Sequence, residues 1–110
     1  MVTVARRSDI AEGTIRSVSV GGRAIALYRV GGKFFATDAR CTHGDVNLAD
    51  GRIVGALIEC PLHVARFDIA TGKGMGAPIT RDLATYPVRV EGEDVLVGVP
   101  DGDVSPPDPR

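Results

Sequence analysis

Apolar and polar residues alternate along three consecutive runs, 14–20, 23–30 and 33–37, separated by Gly21-Gly22 and Gly31-Gly32. A period of two predicts strands. Two glycines between such runs suit tight hairpin turns, because both central positions accept positive φ without a Cβ clash. In the middle run Ile25 and Leu27 occupy one face and Ala26, Tyr28 and Val30 the other. A strand apolar on both faces is packed on both, which makes this the core strand. Residues 1–5, with Val2 and Val4 on one side, predict a first short strand, and 8–13 allow one helical turn at most, with Asp9 and Glu12 at capping-box spacing and Gly13 as the stop.

From Asp38 onward the long alternation gives way to short runs broken by glycine. Residues 47–55 are too polar and too interrupted for a helix, 58–59 lead as a strand into Cys60, 66–69 form a strand leaving His63, and 71–74 make a turn. Gly74-Met75-Gly76-Ala77-Pro78 is a Gly/Pro connector or a specialised loop. Alternation returns at 86–90 and 95–99, which predict a last hairpin around Glu91-Gly92-Glu93-Asp94, with Pro87 marking a strand edge or start. Residues 100–110 carry four of the seven prolines and no periodicity, the composition of a flexible tail. The expected architecture is all-β in a single domain, 1–110. An antiparallel base of about 1–38 and 82–100 carries an inserted loop-rich subdomain of about 39–80, followed by the tail of about 101–110.

Composition narrows the function classes. A chain of 110 residues with 44% apolar content supports one core and leaves no room for a second catalytic domain. A net charge of −1 and a pI near 6.1 provide no basic field for nucleic acid. No apolar stretch approaches the roughly 20 residues that cross a bilayer. Arg6-Arg7 is followed by Ser8-Asp9-Ile10-Ala11-Glu12-Gly13 and not by the apolar region of an export signal. A cytoplasmic protein without a membrane or nucleic-acid partner is expected.

The chemistry is concentrated in Cys41-Thr42-His43-Gly44 and Cys60-Pro61-Leu62-His63, which read C-x-H-x16-C-x2-H. The chain has two cysteines and two histidines, and all four lie in these clips. A [2Fe–2S] centre with mixed ligands needs two thiolates for one iron and two imidazoles for the other, which paired clips on facing loops supply. Two alternatives stand beside it. Zinc also takes Cys2His2 sets, although its clips commonly separate ligands by two to four residues and pair like with like. A Cys41–Cys60 disulfide would require an oxidising compartment and leaves both histidines unexplained.

The motif resembles the cluster-binding sequence of the Rieske family, and in particular of its small soluble ferredoxins. That resemblance implies one [2Fe–2S] cluster with Cys41, His43, Cys60 and His63 as ligands, on the family's fold of a β-sandwich base with an inserted cluster-binding subdomain. It implies that 74–78 form a third loop beside the cluster and that Asp45, Val46, Leu62 and Val64 make a docking rim. Neutral imidazoles in place of two thiolates make the centre less negative and raise its potential above that of four-cysteine ferredoxins. High-potential members of the family have a bracing disulfide and Ser and Tyr hydroxyls near the centre. This chain has Val46 and Leu62 at the disulfide positions, Ala65 for the Ser and Phe67 for the Tyr. The remaining pattern is similar to ferredoxins of multicomponent aromatic-ring oxygenases. It implies an electron carrier between a flavin-dependent ferredoxin reductase and a terminal oxygenase. Both histidines being committed, no second iron site of an oxygenase can be built. Two other functions remain to be weighed: a small subunit of an assimilatory nitrite reductase, and a zinc-stabilised interaction module.

Overall fold

The computed structural model describes residues 1–41, 46–61, 66–75 and 82–99. The described strands are all antiparallel and form three sheets. In the first, β1 (Val2–Arg6), β11 (Asp94–Val97) and β10 (Val88–Glu91) lie in the order β1-β11-β10. The second orders β2 (Ile15–Val20), β3 (Arg23–Val30), β4 (Lys33–Asp38) and β9 (Thr85–Tyr86) as β2-β3-β4-β9. The third is β5-β6-β7-β8, built from β5 (Arg52–Val54), β6 (Leu57–Glu59), β7 (Arg66–Asp68) and β8 (Gly74–Met75). The chain is all-β, as the alternation predicts.

The two faces of β3 decide how the sheets stack. Ile25 and Leu27 enter a core shared by the first two sheets, where they meet Ala36, Tyr86, Val95 and Val97. Ala26 and Tyr28 point the other way, into a second core with Ile58, Phe67, Ile69 and Leu83. All four β3 residues are fully buried, so burial on both faces holds the sandwich and the third sheet to one strand. Inside this wall the Tyr28 hydroxyl lies 2.8 Å from Thr37 Oγ1, and Thr37 in turn donates to the Asp38 carbonyl at 2.8 Å. The single Thr37 proton is thereby used, and Tyr28 is the donor to Thr37. Burial pushes the Tyr28 phenol up to about 12, with the Thr37 contact opposing, so it stays a neutral donor.

Several local expectations are corrected. The helical turn is a single 3-10 turn, Arg7–Asp9, and Asp9 accepts from the Arg6 amide at 3.2 Å instead of pairing with Glu12 in a box. Glu12 has a better partner: its two carboxylate oxygens accept the amides of Gly31 (2.6 Å) and Gly32 (2.8 Å), whose φ angles of +63° and +78° turn both N–H groups outward. A bulge between Thr3 and Ala5 breaks the Val2/Val4 alternation, leaving Val2 exposed while Val4 and Ala5 both pack inward. Residues 47–55 hold more order than their polarity suggests. Asn47 Oδ1 caps a 3-10 turn, Leu48–Asp50, by accepting from the Ala49 amide at 2.7 Å, and β5 follows. The run at 86–90 is two strands in different sheets: Tyr86 pairs with Ala36, Val88 with Val97, and Pro87, which has no N–H to give either ladder, is the switch. The 100–110 tail and residues 76–78 of the third loop lie outside the described residues. Among the described residues no helix is long and apolar enough to cross a membrane.

The Glu12 clamp predicts a local pH dependence. Its two amide bonds hold the carboxyl below its usual 4.5. A carboxylate favoured by folding contributes stability that is full above its ordinary range and is lost as pH falls through the lowered value. The protection factors of the Gly31 and Gly32 amides against hydrogen exchange are expected to fall as pH drops across that acid window, and Glu12→Gln to remove the pH dependence of that protection. An unchanged profile in Glu12→Gln would refute the clamp.

Candidate metal centre

Each cysteine sits at the root of a loop that the third sheet or its approaches close. Arg40 and Asn47 form a β-bridge, and the Cys41 amide donates to the Val46 carbonyl at 3.0 Å. Cys60 follows β6 directly, and Glu59 lies opposite Arg66 in the β6–β7 register. The two cysteines are 2% exposed each and belong to one apolar core with Ala26, Tyr28, Ala39, Leu48, Ile58, Phe67, Ile69 and Leu83. Residues separated by two strands in the chain are thus brought into one pocket of side chains. His43 and His63, with Asp45, Leu62, Val64 and Ala65, lie outside the described residues. Val46 is half-buried and packs against the cysteine core, which gives it a packing role in addition to its place on the expected rim.

The roots of both loops are pinned by charge. At the first, Asp38 ends β4 three residues before Cys41. Tyr86 donates its hydroxyl to Asp38, Arg23 donates to Tyr86 at 3.1 Å, and Arg23 lies 3.8 Å from Asp38. Burial, then the Asp38 bond, pushes the Tyr86 phenol up to about 12, so this tyrosine remains a donor. At the second root, Glu59 binds Arg52 at 2.8 Å with one oxygen and Arg66 at 3.0 Å with the other. The bonds from Arg52 and Arg66 hold the Glu59 carboxyl below its usual range. Beneath it Gly51 passes so close that an added Cβ would stand 2.2 Å from the Glu59 carbonyl oxygen. In β8 the Gly74 amide donates to Asp82 Oδ1 at 2.9 Å.

The clips in the sequence carry no sign of these supports. Charged residues at 52, 59 and 66 recur every seven positions, a signal that acquires meaning only once Arg52, Glu59 and Arg66 are known to be cross-strand neighbours.

Two cysteines converging in one apolar core fit the thiolate half of a soft-metal centre. Comparison with known proteins agrees with that chemistry. The model of the Rieske [2Fe–2S] domain matches residues 1–87. The chain is 49% identical to the ferredoxin component of the naphthalene 1,2-dioxygenase system of Pseudomonas putida over 90 residues, 82% of this chain and 86% of the relative. It superposes on the Sphingomonas yanoikuyae B1 ferredoxin with a TM-score of 0.84 at 37% identity, covering 90% of this chain and 98% of the other. It also matches a chain from the complex of reduced oxygenase and oxidised ferredoxin in carbazole 1,9a-dioxygenase, with a TM-score of 0.83, 41% identity, and coverage of 88% and 100%. The protein is accordingly an electron carrier with a single [2Fe–2S] cluster, not a catalyst. With fold, buried thiols and relatives in agreement, the chain belongs to the Rieske [2Fe–2S] domain family, among its small ferredoxins.

Proposed function

We propose that this ferredoxin shuttles single electrons from a flavin-dependent ferredoxin reductase to the terminal oxygenase of an aromatic-ring dioxygenase system in the cytoplasm. Cys41 and Cys60 would hold one iron as thiolates, and His43 and His63 the other as neutral imidazoles. The observation that carries this reading is the burial of both cysteines in one core, each followed within three residues by one of the chain's two histidines. When bound, the cluster supplies a site for one electron at a time. The cysteine core buries the thiolate side, so an electron would pass in and out at the iron held by His43 and His63. We also propose that 39–80 act as the cluster-binding unit, on a base of 1–38 and 82–100, with 101–110 as a flexible tail.

Reconstitution tests the assignment. Reduced protein mixed with a naphthalene-type terminal oxygenase, a flavin reductase and NADH is expected to support product formation only when all three proteins are present. Hydroxylation without the oxygenase, or no reoxidation of the reduced protein by it, would refute the carrier role.

Phe67 gives a handle on the potential. It is fully buried in the same core as both cysteines. Phe67→Tyr would add a hydroxyl where high-potential relatives have one, and a donor facing a centre that becomes more negative on reduction favours the reduced state. At about 1 kcal/mol for the bond, the one-electron potential is expected to rise by roughly 40 mV. Film voltammetry at one pH reads it. An unchanged or lowered potential with an intact cluster spectrum would show that this side chain does not face the centre.

A further inference from the structure

We infer that Glu59 is a positioning residue for the metal centre, acting with Arg52 and Arg66 as a clamp that sets the geometry of the second ligand loop and so the retention of the cluster. The inference rests on the ligand reading above and adds residues that the motif does not contain.

The geometry is specific. Arg52 and Arg66 stand directly opposite Glu59 on the two strands that flank it, so the three side chains form one row across β5, β6 and β7. Both carboxylate oxygens are used: Oε1 accepts from Arg52 Nε at 2.8 Å, and Oε2 from Arg66 Nε at 3.1 Å and Nη2 at 3.0 Å. Both Arg66 nitrogens converge on the one oxygen Oε2, which leaves Oε1 to Arg52, so each carboxylate oxygen has its own charged donor. This row is the last before the strands part into the ligand loop, and the next residue of β6 is Cys60. Gly51 seats the Glu59 backbone from below, where even a methyl group would collide with its carbonyl oxygen. Glu59 is therefore held by its side chain on both flanks and by its main chain underneath.

An exposed ion pair adds little to global stability, and the Arg52 and Arg66 side chains are 75% and 42% exposed. The clamp's effect should accordingly appear where register matters most, at the root of residues 60–65, and hardly at all in the folding of the sandwich. Partners that orient first ligands commonly govern metal retention in this way.

The test is chelator-driven iron release from anaerobically purified holoprotein, followed by visible absorption, with EPR of the reduced state and far-UV circular dichroism in parallel. Glu59→Ala is expected to release iron roughly 10-fold faster than wild type, as outer-shell losses do, with broadened EPR lines and an unchanged far-UV spectrum. Glu59→Gln keeps an acceptor for one arginine and is expected to fall between the two. Arg66→Gln leaves the Arg52 bond and is expected, like Glu59→Gln, to fall between wild type and Glu59→Ala, and the Glu59→Ala/Arg66→Gln double variant should be no worse than Glu59→Ala, which already removes both contacts. Should Glu59→Ala fail to fold, Arg66→Gln and Glu59→Gln carry the comparison. Release and EPR lines like wild type in these variants, or strictly additive effects in the double, would overturn the clamp while leaving the ligand reading intact. An iron-free wild type would overturn both.

Discussion

Replacing Cys41 or Cys60 by serine is expected to abolish cluster binding, leaving no stoichiometric iron or acid-labile sulfide in anaerobically purified protein. A serine hydroxyl is close in size to the thiol but is a hard, un-ionised donor at neutral pH, whereas iron–sulfur centres require thiolate. Both cysteines are 2% exposed in a common core, so neither variant can recruit a replacement ligand from solvent. The loss reaches beyond the metal. Binding energy of a structural metal is folding energy, and here it would join the loops that follow Ala39 and Glu59 in a sheet of strands two to three residues long. Thermal unfolding of either variant is expected at markedly lower temperature than wild-type holoprotein and close to that of wild-type apoprotein. A normally loaded cluster in either variant would remove that cysteine from the ligand set.

Gly51→Ala should have the next largest effect. At φ −87° this glycine needs no left-handed conformation, so the requirement is one of space. The new methyl would lie 2.2 Å from the Glu59 carbonyl oxygen and 3.2 Å from that of Leu48. Backbone on both sides must move, and overpacking of this kind costs about 1–3 kcal/mol. Because the displaced carbonyl belongs to the residue before Cys60, cluster content should fall together with stability. Gly55→Ala is the control: Gly55 lies at φ +63° with open space around it, so only backbone strain is added, about 1 kcal/mol. Equal cluster content in the two variants would show that the Gly51–Glu59 approach does not support the ligand loop.

Much of this architecture was legible in the sequence, for reasons that differ along the chain. The two-sided burial of β3 follows from Ile25 and Leu27 alternating with Ala26 and Tyr28, since a strand has only two faces to fill. The thiol positions follow from chemistry, because the only cysteines stand in clips with the only histidines. What was hidden depends on pairings that no local window contains. Glu12 satisfies capping spacing with Asp9, yet a turn distant in sequence offers it two amides at once. Residues 86–90 alternate smoothly, although Pro87 divides them between sheets. β5 leaves no trace in the alternation, because three residues between Gly51 and Gly55 are too few to display a period. The Arg52–Glu59–Arg66 row resembles ordinary solvated charge until the register places its members side by side.

The pairing of β1 with β11 sets an order of events during synthesis. Val2 lies opposite Val97, so the first strand made must wait for the last. At about 5–20 residues per second, that wait is roughly 5–20 s. Cys41 and Cys60 are made well inside it, while Val95 and Val97, which complete the core on the far side of β3, are still unmade. Both thiols are thus made before the frame that buries them can close, and iron delivery to a chain without that frame competes with oxidation of the same two sulfurs.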